Sequence, residues 1–483
     1  MTQQEDELGD LAAHVWRTTG GTPEDVRRLT AGGPRTVLPS AFDVTGLATA
    51  AVSAATLAAA ALLAARNAAP LAAVHVDSRA ACAAFAAEGL FTPDGWTVPD
   101  LWDPVAGNYL ARDGWIRLHT NYAYHRAVVA RLLEADDRAS VQEAVSHWKA
   151  ADLETAVVAA GGCAAAMHGR EQWLASAPGA ASADAPPLVV TERPFPARPA
   201  AAVSRSDGPA GQPYAGVRVL DLTRVIAGPV CTKFLAAYGA DVLRIDPPGF
   251  AEVPALLPET TAGKRTAALD LTAAAGRAAF ERLVAGADVL VTGLRADALA
   301  GLGSDDAALT ALNPALIVAS LNAYGWDGPW RDRRGFDSLV QMSCGIAAAG
   351  GTGSGGAHDN AAPGDNASEG RPGPLPVQAL DHATGYLLAA AVGRALTARL
   401  TRAAASRIWG SLTGTANLLW SLPRAADLGR QPAMPRRAEI PLTQTRTAWG
   451  PGRRVALPGA IAGVTAALRV EAGPLGRHQP QWA

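Results

Sequence analysis

Three residues, Ala227, Gly228 and Pro229, lie at a point of the sequence where a chain can bind an anion. They follow a short apolar run, VRVLDL, and precede a helical pattern over about 230 to 238 and a second apolar run, ADVLRI. In such a strand–helix–strand unit a glycine lets the backbone approach a ligand, and the helix start offers unpaired N–H groups to a nucleotide-like anion. Parallel sheets also use such turns for packing alone, so both interpretations stay open on these residues. The unit carries neither G-x-G-x-x-G nor G-x-x-x-x-G-K-[ST], which disfavours ordinary dinucleotide-binding and P-loop chemistry.

Further motifs follow this unit in order. GKR precedes a run ending in LDL, a second αβ pattern ends in ADVLVTG, and NPALIV, YGWDGP and Gly335-Phe336-Asp337 with a glutamine four residues on come later. With VLDL, AGP and DPPG, these motifs resemble those of the family III CoA-transferases, the CaiB/BaiF group, over about residues 216 to 400. The resemblance implies an α/β fold: a Rossmann-like parallel sheet with flanking helices, plus a smaller α+β domain.

Asp381 is the candidate for the chemistry. It lies between the strand-like PLPVQAL and an alanine-rich helical pattern, where a carboxylate can equally be the N-cap of the helix. The resemblance implies that it is the family's nucleophile, which attacks an acyl-CoA thioester to give a mixed anhydride and free CoA thiolate. An acceptor carboxylate then takes the CoA through an aspartyl-CoA thioester. A carboxylate suits this work because it is expected to be ionised near pH 7.

The resemblance also implies which residues bind CoA, as a substrate. They are Val225, Ala227 and Gly228 at the first turn, Lys264 and Arg265 near the phosphates, Arg295 after ADVLVTG, and Tyr324 and Gly325 in YGWDGP. Exposed cations are often only solvated surface, and a glycine turn can serve the backbone alone, so these structural interpretations stay open. No permanently bound cofactor and no metal is expected.

Two departures from the family pattern bear on the reaction. The family's acyl-CoA racemases carry a histidine before the Asp of the G-[HF]-D motif, whereas this chain has Phe336, which cannot carry a proton, so transfer is favoured over racemisation. The glycine-rich loop that shields the transferase anhydride is not recognisable in the amino-terminal region, and the glycines at 350–356 lie elsewhere in the pattern. The alternative is therefore a degenerate CoA-binding or partner-binding paralogue, or less favourably a racemase or isomerase.

The chain divides into four segments. We expect residues 1–185 to be a partial second copy with the smaller domain, 186–215 a linker, 216–400 the CoA-binding large domain, and 401–483 a segment completing it. The repeat is suggested because LPSAFDVTGLATAA resembles LPVQALDHATGYLLAA; aligning their Thr-Gly pairs places Phe42 opposite Asp381. The two parts are expected to dock within the chain as a pseudo-dimer, or with a second chain as a homodimer, and the first part can equally be a scaffold.

Composition limits the other possibilities. A formal charge of −2 over 483 residues gives no reason to expect nucleic acid or an anionic membrane as partner, leaving acyl-CoA and a carboxylic acid. Four widely spaced cysteines and an acidic amino terminus favour a reducing cytoplasm. Residues 46–65 carry no charge over a length that could cross a bilayer, but their alanine content favours a buried helix.

Overall fold

The computed structural model describes residues 3–195, 211–295, 297–351, 370–424, 440 and 442–483. The helices are α1 (Gln3–Thr18), α2 (Pro23–Val26), α3 (Val44–Asn67), α4 (Ser78–Phe85), α5 (Ala87–Leu90), α6 (Ala123–Leu133), α7 (Arg138–Ser146), α8 (Ala150–Ala159), α9 (Arg170–Ala175), α10 (Ala177–Ser182), α11 (Ala227–Ala237), α12 (Leu257–Thr260), α13 (Ala274–Gly286), α14 (Asp306–Leu312), α15 (Asp337–Ser343), α16 (Ile346–Gly350), α17 (Ala379–Arg402) and α18 (Leu412–Ser421). The strands are β1 (Leu29–Gly32), β2 (Val74–Asp77), β3 (Thr92–Pro93), β4 (Gly107–Ala111), β5 (Gly114–Leu118), β6 (Ala164–Ala166), β7 (Leu188–Pro194), β8 (Arg218–Leu222), β9 (Asp241–Asp246), β10 (Arg265–Ala268), β11 (Val289–Thr292), β12 (Ile317–Asn322), β13 (Ala404–Ser411), β14 (Leu442–Thr447), β15 (Gly450–Val455) and β16 (Ala460–Ile461).

A seven-stranded sheet forms the centre of the fold, in the order β10-β9-β8-β11-β12-β13-β7. Six strands are parallel and β7 joins β13 antiparallel at one edge. Alternate residues enter different hydrophobic clusters: Val219 and Val291 pack with residues of α11 and α17, whereas Leu220 and Leu290 pack with residues of α13 and α14. Both faces are covered, as parallel strands made of nearly continuous apolar runs require. The expected α/β class with a Rossmann-like parallel sheet and flanking helices is confirmed.

Local boundaries differ from expectation in three places. Residues 188–194, placed in the linker, form edge strand β7, so the linker interpretation is wrong for this stretch. The run PLPVQAL is not a strand, because no ladder partner takes it up and α17 begins at Ala379. Helix α11 begins at Ala227 rather than near residue 230. Residues 196–210 and 352–369, within the two polar stretches that we interpreted as loops, lie outside the described residues.

Helices α3 and α17 are a matched pair. Each has 24 residues, each begins after a residue with closely similar backbone angles (Asp43 φ −78°, ψ 65°; Gln378 φ −74°, ψ 65°), and each ends at a left-handed alanine, Ala68 or Ala403. They pack against each other in the main hydrophobic cluster. Matching the helix ends places Gly46 opposite Asp381, which corrects the expected Phe42.

Helix α3 is also long and apolar enough to cross a membrane by length and composition, but 83% of its apolar window is buried inside the protein. The prediction of a buried helix over residues 46–65 is confirmed.

The amino-terminal region contains its own small sheet, β4-β5-β6, which shares a hydrophobic cluster with α6, α7 and α8. It docks on the second half through buried polar contacts: Arg333 pairs with Glu154 and donates to the carbonyl of Ala164 at 2.8 Å, and the His168 N–H donates to the Met342 carbonyl at 3.0 Å. That this region is a separate smaller domain stays a prediction.

Candidate active site

Three parallel strands of the central sheet end side by side and present their following loops at one edge. Strands β8, β11 and β12 are neighbours and end at Leu222, Thr292 and Asn322. Ligands of open α/β sheets bind outside the carboxyl ends of the strands where the strand order reverses, here between β8 and β11. The loops at this edge and the start of α11 carry six of the residues expected to bind CoA: Val225, Ala227, Gly228, Arg295, Tyr324 and Gly325.

The turn after β8 is held in a strained backbone conformation. Val225 has φ +63°, a left-handed value that a β-branched residue rarely adopts and that costs about 1–3 kcal/mol. Its N–H donates to Glu252 Oε2 at 3.2 Å, and the same carboxylate accepts from the Tyr122 hydroxyl at 2.6 Å and from Arg244 at 3.0 Å. Such strain persists only where surrounding contacts hold it, and it commonly marks a site that meets a ligand.

Gly228 is required by close packing at this turn. A Cβ added there would lie 2.2 Å from the Thr223 Cβ, a distance that side chains do not tolerate. The glycine therefore keeps the start of α11 against the end of β8, with the N–H groups of the helix start at the carboxyl edge.

Lys264 does not reach this edge as a free cation. Its side chain is fully buried, and its Nζ donates to Asp221 Oδ2 and to the Pro229 carbonyl, both at 3.1 Å. Burial is the largest influence and lowers the pKa of Lys264 to about 8, although Asp221 opposes that shift. The expectation that Lys264 contacts a phosphate is therefore wrong for this structure: the ammonium ties β8 to the start of α11 from the interior.

Arg265 likewise has other partners. It forms a two-pronged ion pair with Asp241 at 2.8 and 2.9 Å and donates to the Gln481 carbonyl at 2.5 Å, away from the β8 turn. Its assignment to the phosphates is corrected for this reason. Arg295 is exposed, and within the described ranges its side chain forms no ion pair, so it remains available for an anion.

The loop after β12 contributes backbone rather than a reactive side chain. Gly325 has φ +90°, and the Asn322 side chain brackets it, accepting from its N–H at 2.9 Å and donating to its carbonyl at 2.7 Å. Tyr324 is buried, its ring lies edge-on to Trp330, and its hydroxyl is 3.3 Å from Ser343 Oγ. Tyr324 therefore packs beneath the loop, so the expectation that its side chain binds CoA is corrected, whereas Gly325 lies at the edge.

Asp381 lies in the first turn of α17, close to the β8 turn. One helical turn on, a Cβ added to Gly385 would be 2.4 Å from the Ala227 carbonyl oxygen and 2.8 Å from the Val230 Cβ, so glycine lets α17 meet α11 here. Asp381 is 7% exposed, and no hydrogen bond to its carboxylate occurs within the described part of the chain. It does not cap α17, which begins after Gln378 without a side-chain cap. The N-cap alternative is thus not observed.

A second carboxylate fixes the start of α17. Asp337, at the first position of α15, accepts the Asp381 N–H at 2.9 Å on Oδ2 and a hydrogen bond from the Gln341 amide on Oδ1. Gln341 in turn accepts the Leu375 N–H at 2.8 Å. Asp337 therefore does from a neighbouring helix what an N-cap side chain would do.

The carboxyl groups of Asp381, Asp337 and Glu88 interact in a buried environment, and this changes the pKa values of Asp381 and Asp337. Burial, followed by the charges of Asp337 and Glu88, raises the pKa of Asp381 well above its usual value. Burial also raises the pKa of Asp337 to about 6. Ionisation of Asp381 must therefore compete with two nearby carboxylates in a low-dielectric setting, and the expectation that it is ionised near pH 7 stays a prediction.

His382 follows Asp381 and joins it to the amino-terminal region. Its Nε2 lies 3.0 Å from Glu88 Oε2, and its ring stacks on Phe85 with centroids 5.2 Å apart. A cavity that is partly open to solvent begins at this pair and runs between α4, α11, α17 and residues 455–458.

Residues 214–444 match the family model of CoA-transferase family III. This segment is a CoA-transferase family III region. It contains the β8 turn, Asp337 and Asp381 together, as the motifs of the sequence indicated.

Curated relatives resemble the family III region in sequence. A probable fatty acyl-CoA transferase of Mycobacterium tuberculosis is 33% identical over 203 residues, which are 39% of this chain and 47% of the relative. A succinate–glutarate CoA-transferase of Agrobacterium fabrum is 36% identical over 152 residues, 28% of this chain and 38% of the relative. The chain therefore spans less than half the length of these relatives. A solved CaiB/BaiF family protein of Brucella suis is 25% identical, covers 50% of this chain and 65% of its own, and has a TM-score of 0.38.

Four site residues outside the expected set complete the arrangement. Asp337 and Gln341 carried a signal, since they belong to the G-F-D motif and its following glutamine, although their role as a cap was not evident. Glu88 and Tyr122 carried none, because each lies in the amino-terminal region, more than 100 residues from its partner along the chain. No cluster of three or more His, Cys, Asp or Glu suited to a metal ion occurs among the residues with described positions.

Proposed function

We propose that the chain is a CoA-transferase that moves CoA from an acyl-CoA thioester to a carboxylic acid, with Asp381 as the nucleophile. One observation carries the proposal: the Asp381 carboxylate has no hydrogen-bonding partner in the described part of the chain, while its backbone is fixed by Asp337 and its helix is pressed against the β8 turn through Gly385. A buried carboxylate without a structural partner is costly unless it has a task. The match to family III and the named activities of the relatives support this choice.

The reaction follows from two exchanges at one carboxyl group. A carboxylate oxygen of Asp381 attacks the thioester carbonyl carbon, the C–S bond breaks, and CoA leaves as a thiolate with a mixed anhydride on the protein. The thiolate attacks the aspartyl carbonyl and expels the donor acid, leaving an aspartyl-CoA thioester. An acceptor carboxylate repeats the sequence in reverse, so that a new acyl-CoA leaves and Asp381 is regenerated. Covalent catalysis of this kind divides one difficult step into several easier ones.

The raised pKa of Asp381 has two opposing effects on this chemistry. It lowers the fraction of ionised carboxylate at a given pH, and it makes the ionised form more basic and hence a better nucleophile. Binding a thioester against Asp381 would expel water from the site. The CoA thiolate that leaves is itself an anion, so negative charge must be stabilised there. We propose that the N–H groups at the start of α11 stabilise negative charge that develops beside Asp381.

CoA recognition is proposed for the carboxyl edge of the sheet. Val225, Ala227 and Gly228 would offer backbone to the ligand, Gly325 the facing loop, and Arg295 a free cation for a phosphate. Lys264 and Arg265 leave this set because their charges are already paired.

We also propose that residues 1–185 complete the site within the same chain. Tyr122 reaches the Glu252 carboxylate that holds Val225, and Glu88 reaches His382 beside Asp381. These contacts favour an intrachain pseudo-dimer as the functional unit. The division into 1–185, 216–400 and 401–483 stays a prediction, in which 1–185 and 216–400 would each supply one wall of the site and 401–483 would complete the sheet with β13. A homodimer and a cytoplasmic location stay predictions.

A trapping experiment tests the proposed activity. Protein incubated with an acyl-CoA and then treated with hydroxylamine or borohydride is expected to carry a modification at Asp381, seen by mass spectrometry of the peptide. Asp381→Asn, which keeps the shape of the side chain, is expected to carry none, and Asp270→Asn at an exposed turn serves as the matched control that keeps the adduct. Modification that persists in Asp381→Asn would show that another residue is the nucleophile.

A degenerate CoA-binding paralogue is the second candidate. It is favoured by the burial of Asp381, which is only 7% exposed, and by the short coverage of the relatives. This candidate predicts CoA binding by calorimetry that Arg295→Ala weakens, together with no trapped adduct in the wild-type protein. An adduct at Asp381 would exclude it.

A further inference from the structure

The cavity beside Asp381 has an apolar interior. Its wall is formed largely by alanine, valine, proline and aromatic side chains from four segments that are distant in sequence. Those that decide its character are Phe234, Tyr238 and Tyr386, with Ala84 and Ala87 on the amino-terminal side. A concave apolar space with few polar groups is the usual form of a small-molecule site.

The charges that border the cavity are already neutralised. Lys233 pairs with Glu259, and His382 lies against Glu88. Each of these acidic side chains is at most 9% exposed. A ligand carboxylate entering this space would meet no free cation, and it would lose its hydration without a compensating partner. The cavity therefore favours an uncharged, aliphatic ligand.

The cavity adjoins His382, the residue that follows Asp381 in the first turn of α17, although Asp381 is not itself among the lining residues. His382, the next residue, lines it, and so does Val230, whose Cβ lies 2.8 Å from the position of a Gly385 Cβ one turn below Asp381. A group bonded to Asp381 would thus begin at the turn of α17 whose neighbours Val230 and His382 line the cavity.

We propose that this cavity holds the hydrocarbon chain of the acyl group that Asp381 attacks, and that the substrate class is thioesters of uncharged aliphatic acids rather than of dicarboxylic acids. The inference rests on the proposed CoA-transferase function and deepens it. The pantetheine arm would approach from the carboxyl edge of the sheet, while the acyl chain points the opposite way between α4 and α11.

The test is the rate of adduct formation at Asp381 with acetyl-, butyryl-, hexanoyl- and succinyl-CoA. Burial of one methylene is worth about fourfold, so kcat/KM for the first half-reaction is expected to rise by roughly 200-fold from acetyl to hexanoyl. Succinyl-CoA, which is butyryl-CoA with a terminal carboxylate in place of a methyl group, is expected to react at least about tenfold more slowly than butyryl-CoA.

Two neighbouring alanines of α4 offer a matched pair of variants. Ala84 lines the cavity and is 6% exposed, whereas Ala83 is 5% exposed but does not line it. Ala84→Leu is expected to lower the hexanoyl-to-acetyl ratio of kcat/KM by roughly 60-fold, since it fills a volume of about three methylenes, and Ala83→Leu is expected to keep that ratio. The wild-type series decides the question if either variant fails to fold.

The outcomes separate this inference from the proposed function. Two results would overturn the proposed acyl site but keep the CoA-transferase function. Both include an adduct with acetyl-CoA: in the first, kcat/KM does not depend on acyl length, and in the second, succinyl-CoA reacts faster than butyryl-CoA. If kcat/KM rises with acyl length but folded Ala84→Leu keeps the wild-type hexanoyl-to-acetyl ratio, the acyl chain binds elsewhere, and the inference is also overturned. No adduct with any of the four thioesters overturns both.

Discussion

Replacing Tyr122 by phenylalanine tests whether the amino-terminal region completes the site or is only a scaffold. The Tyr122 hydroxyl donates at 2.6 Å to Glu252, whose other oxygen accepts the N–H of the strained Val225. Phenylalanine keeps the ring, which lies 6.0 Å from Phe250 between centroids, and removes only the donor. Glu252 then remains buried with one hydrogen bond fewer.

The magnitude follows from the type of bond. A hydrogen bond to a charged acceptor contributes about 1.5–3 kcal/mol, so we expect Tyr122→Phe to lower the free energy of unfolding by about 2 kcal/mol, roughly 30-fold in the equilibrium constant. The Kd of CoA should rise by no more than the same roughly 30-fold factor, because only part of the free energy of the lost Tyr122–Glu252 hydrogen bond affects the conformation of Val225 at the CoA site. Removing the donor should also raise the pKa of Glu252, which the Tyr122 hydroxyl helps to lower.

Urea denaturation and calorimetric CoA binding are the assays. A double-mutant cycle of Tyr122→Phe with Glu252→Gln is expected to give a coupling energy of about 2 kcal/mol. Tyr124→Phe is the control, since Tyr124 is 51% exposed and its loss should cost less than about 0.5 kcal/mol. Additive effects, or equal effects of the two phenylalanine variants, would refute the proposed link between the two parts of the chain.

Four further predictions concern charges at the site. Because burial and the charge of Asp337 raise the pKa of Asp381, the rate of adduct formation should increase with pH over a range above the titration of an ordinary aspartate. Quench-flow measurements at a series of pH values test this. A rate that does not change from about pH 4.5 to 8 would contradict the prediction. Because burial raises the pKa of Asp337 to about 6, the contribution of this group to stability is fully present below its unfolded pKa of about 4 and is lost as the pH rises through about 6, which urea unfolding of the wild-type protein and of Asp337→Asn at each pH can isolate. Lys264→Met should destabilise the fold by about 3–5 kcal/mol, since it leaves Asp221 buried without its cation. If the variant instead keeps native stability and binds CoA more weakly, Lys264 contacts a CoA phosphate as the sequence suggested. Arg295→Ala should change stability by less than about 0.5 kcal/mol while raising the Kd of CoA, and an unchanged Kd would remove Arg295 from the site.

The parts of the fold that were predictable from sequence are those with strong local patterns. The unit β8–α11–β9 was evident because both strands are short apolar runs and the glycine turn between them leaves few alternatives. Strand β7 was missed because it is an edge strand with an exposed face, Val189 and Val190 being 45% and 42% exposed, inside a stretch rich in proline and alanine. Edge strands show weak burial patterns and are easily mistaken for loops.

The site was less predictable, because burial and pairing depend on residues far apart in sequence. Lys264 and Arg265 are adjacent basic residues that the sequence does not distinguish. In the structure, Lys264 pairs with Asp221 in the interior, whereas Arg265 pairs with Asp241 near the surface. The environment of Asp381 is set by Asp337 and by Glu88, which lie 44 and 293 positions away along the chain. The position of Asp381 could be predicted from its motif, but its protonation could not.

The contact between α3 and α17 has a consequence for how the gene can be divided. Gly393 of α17 approaches Ala58 of α3 so closely that a Cβ on the glycine would lie 3.1 Å from the alanine Cβ, and most of both helices is buried. A recombinant fragment beginning at residue 211 would carry nearly all of the family III sequence and yet present a bare stripe of alanine and leucine to water. Such a fragment is expected to aggregate when expressed alone and to become soluble only when residues 1–195 are co-expressed with it.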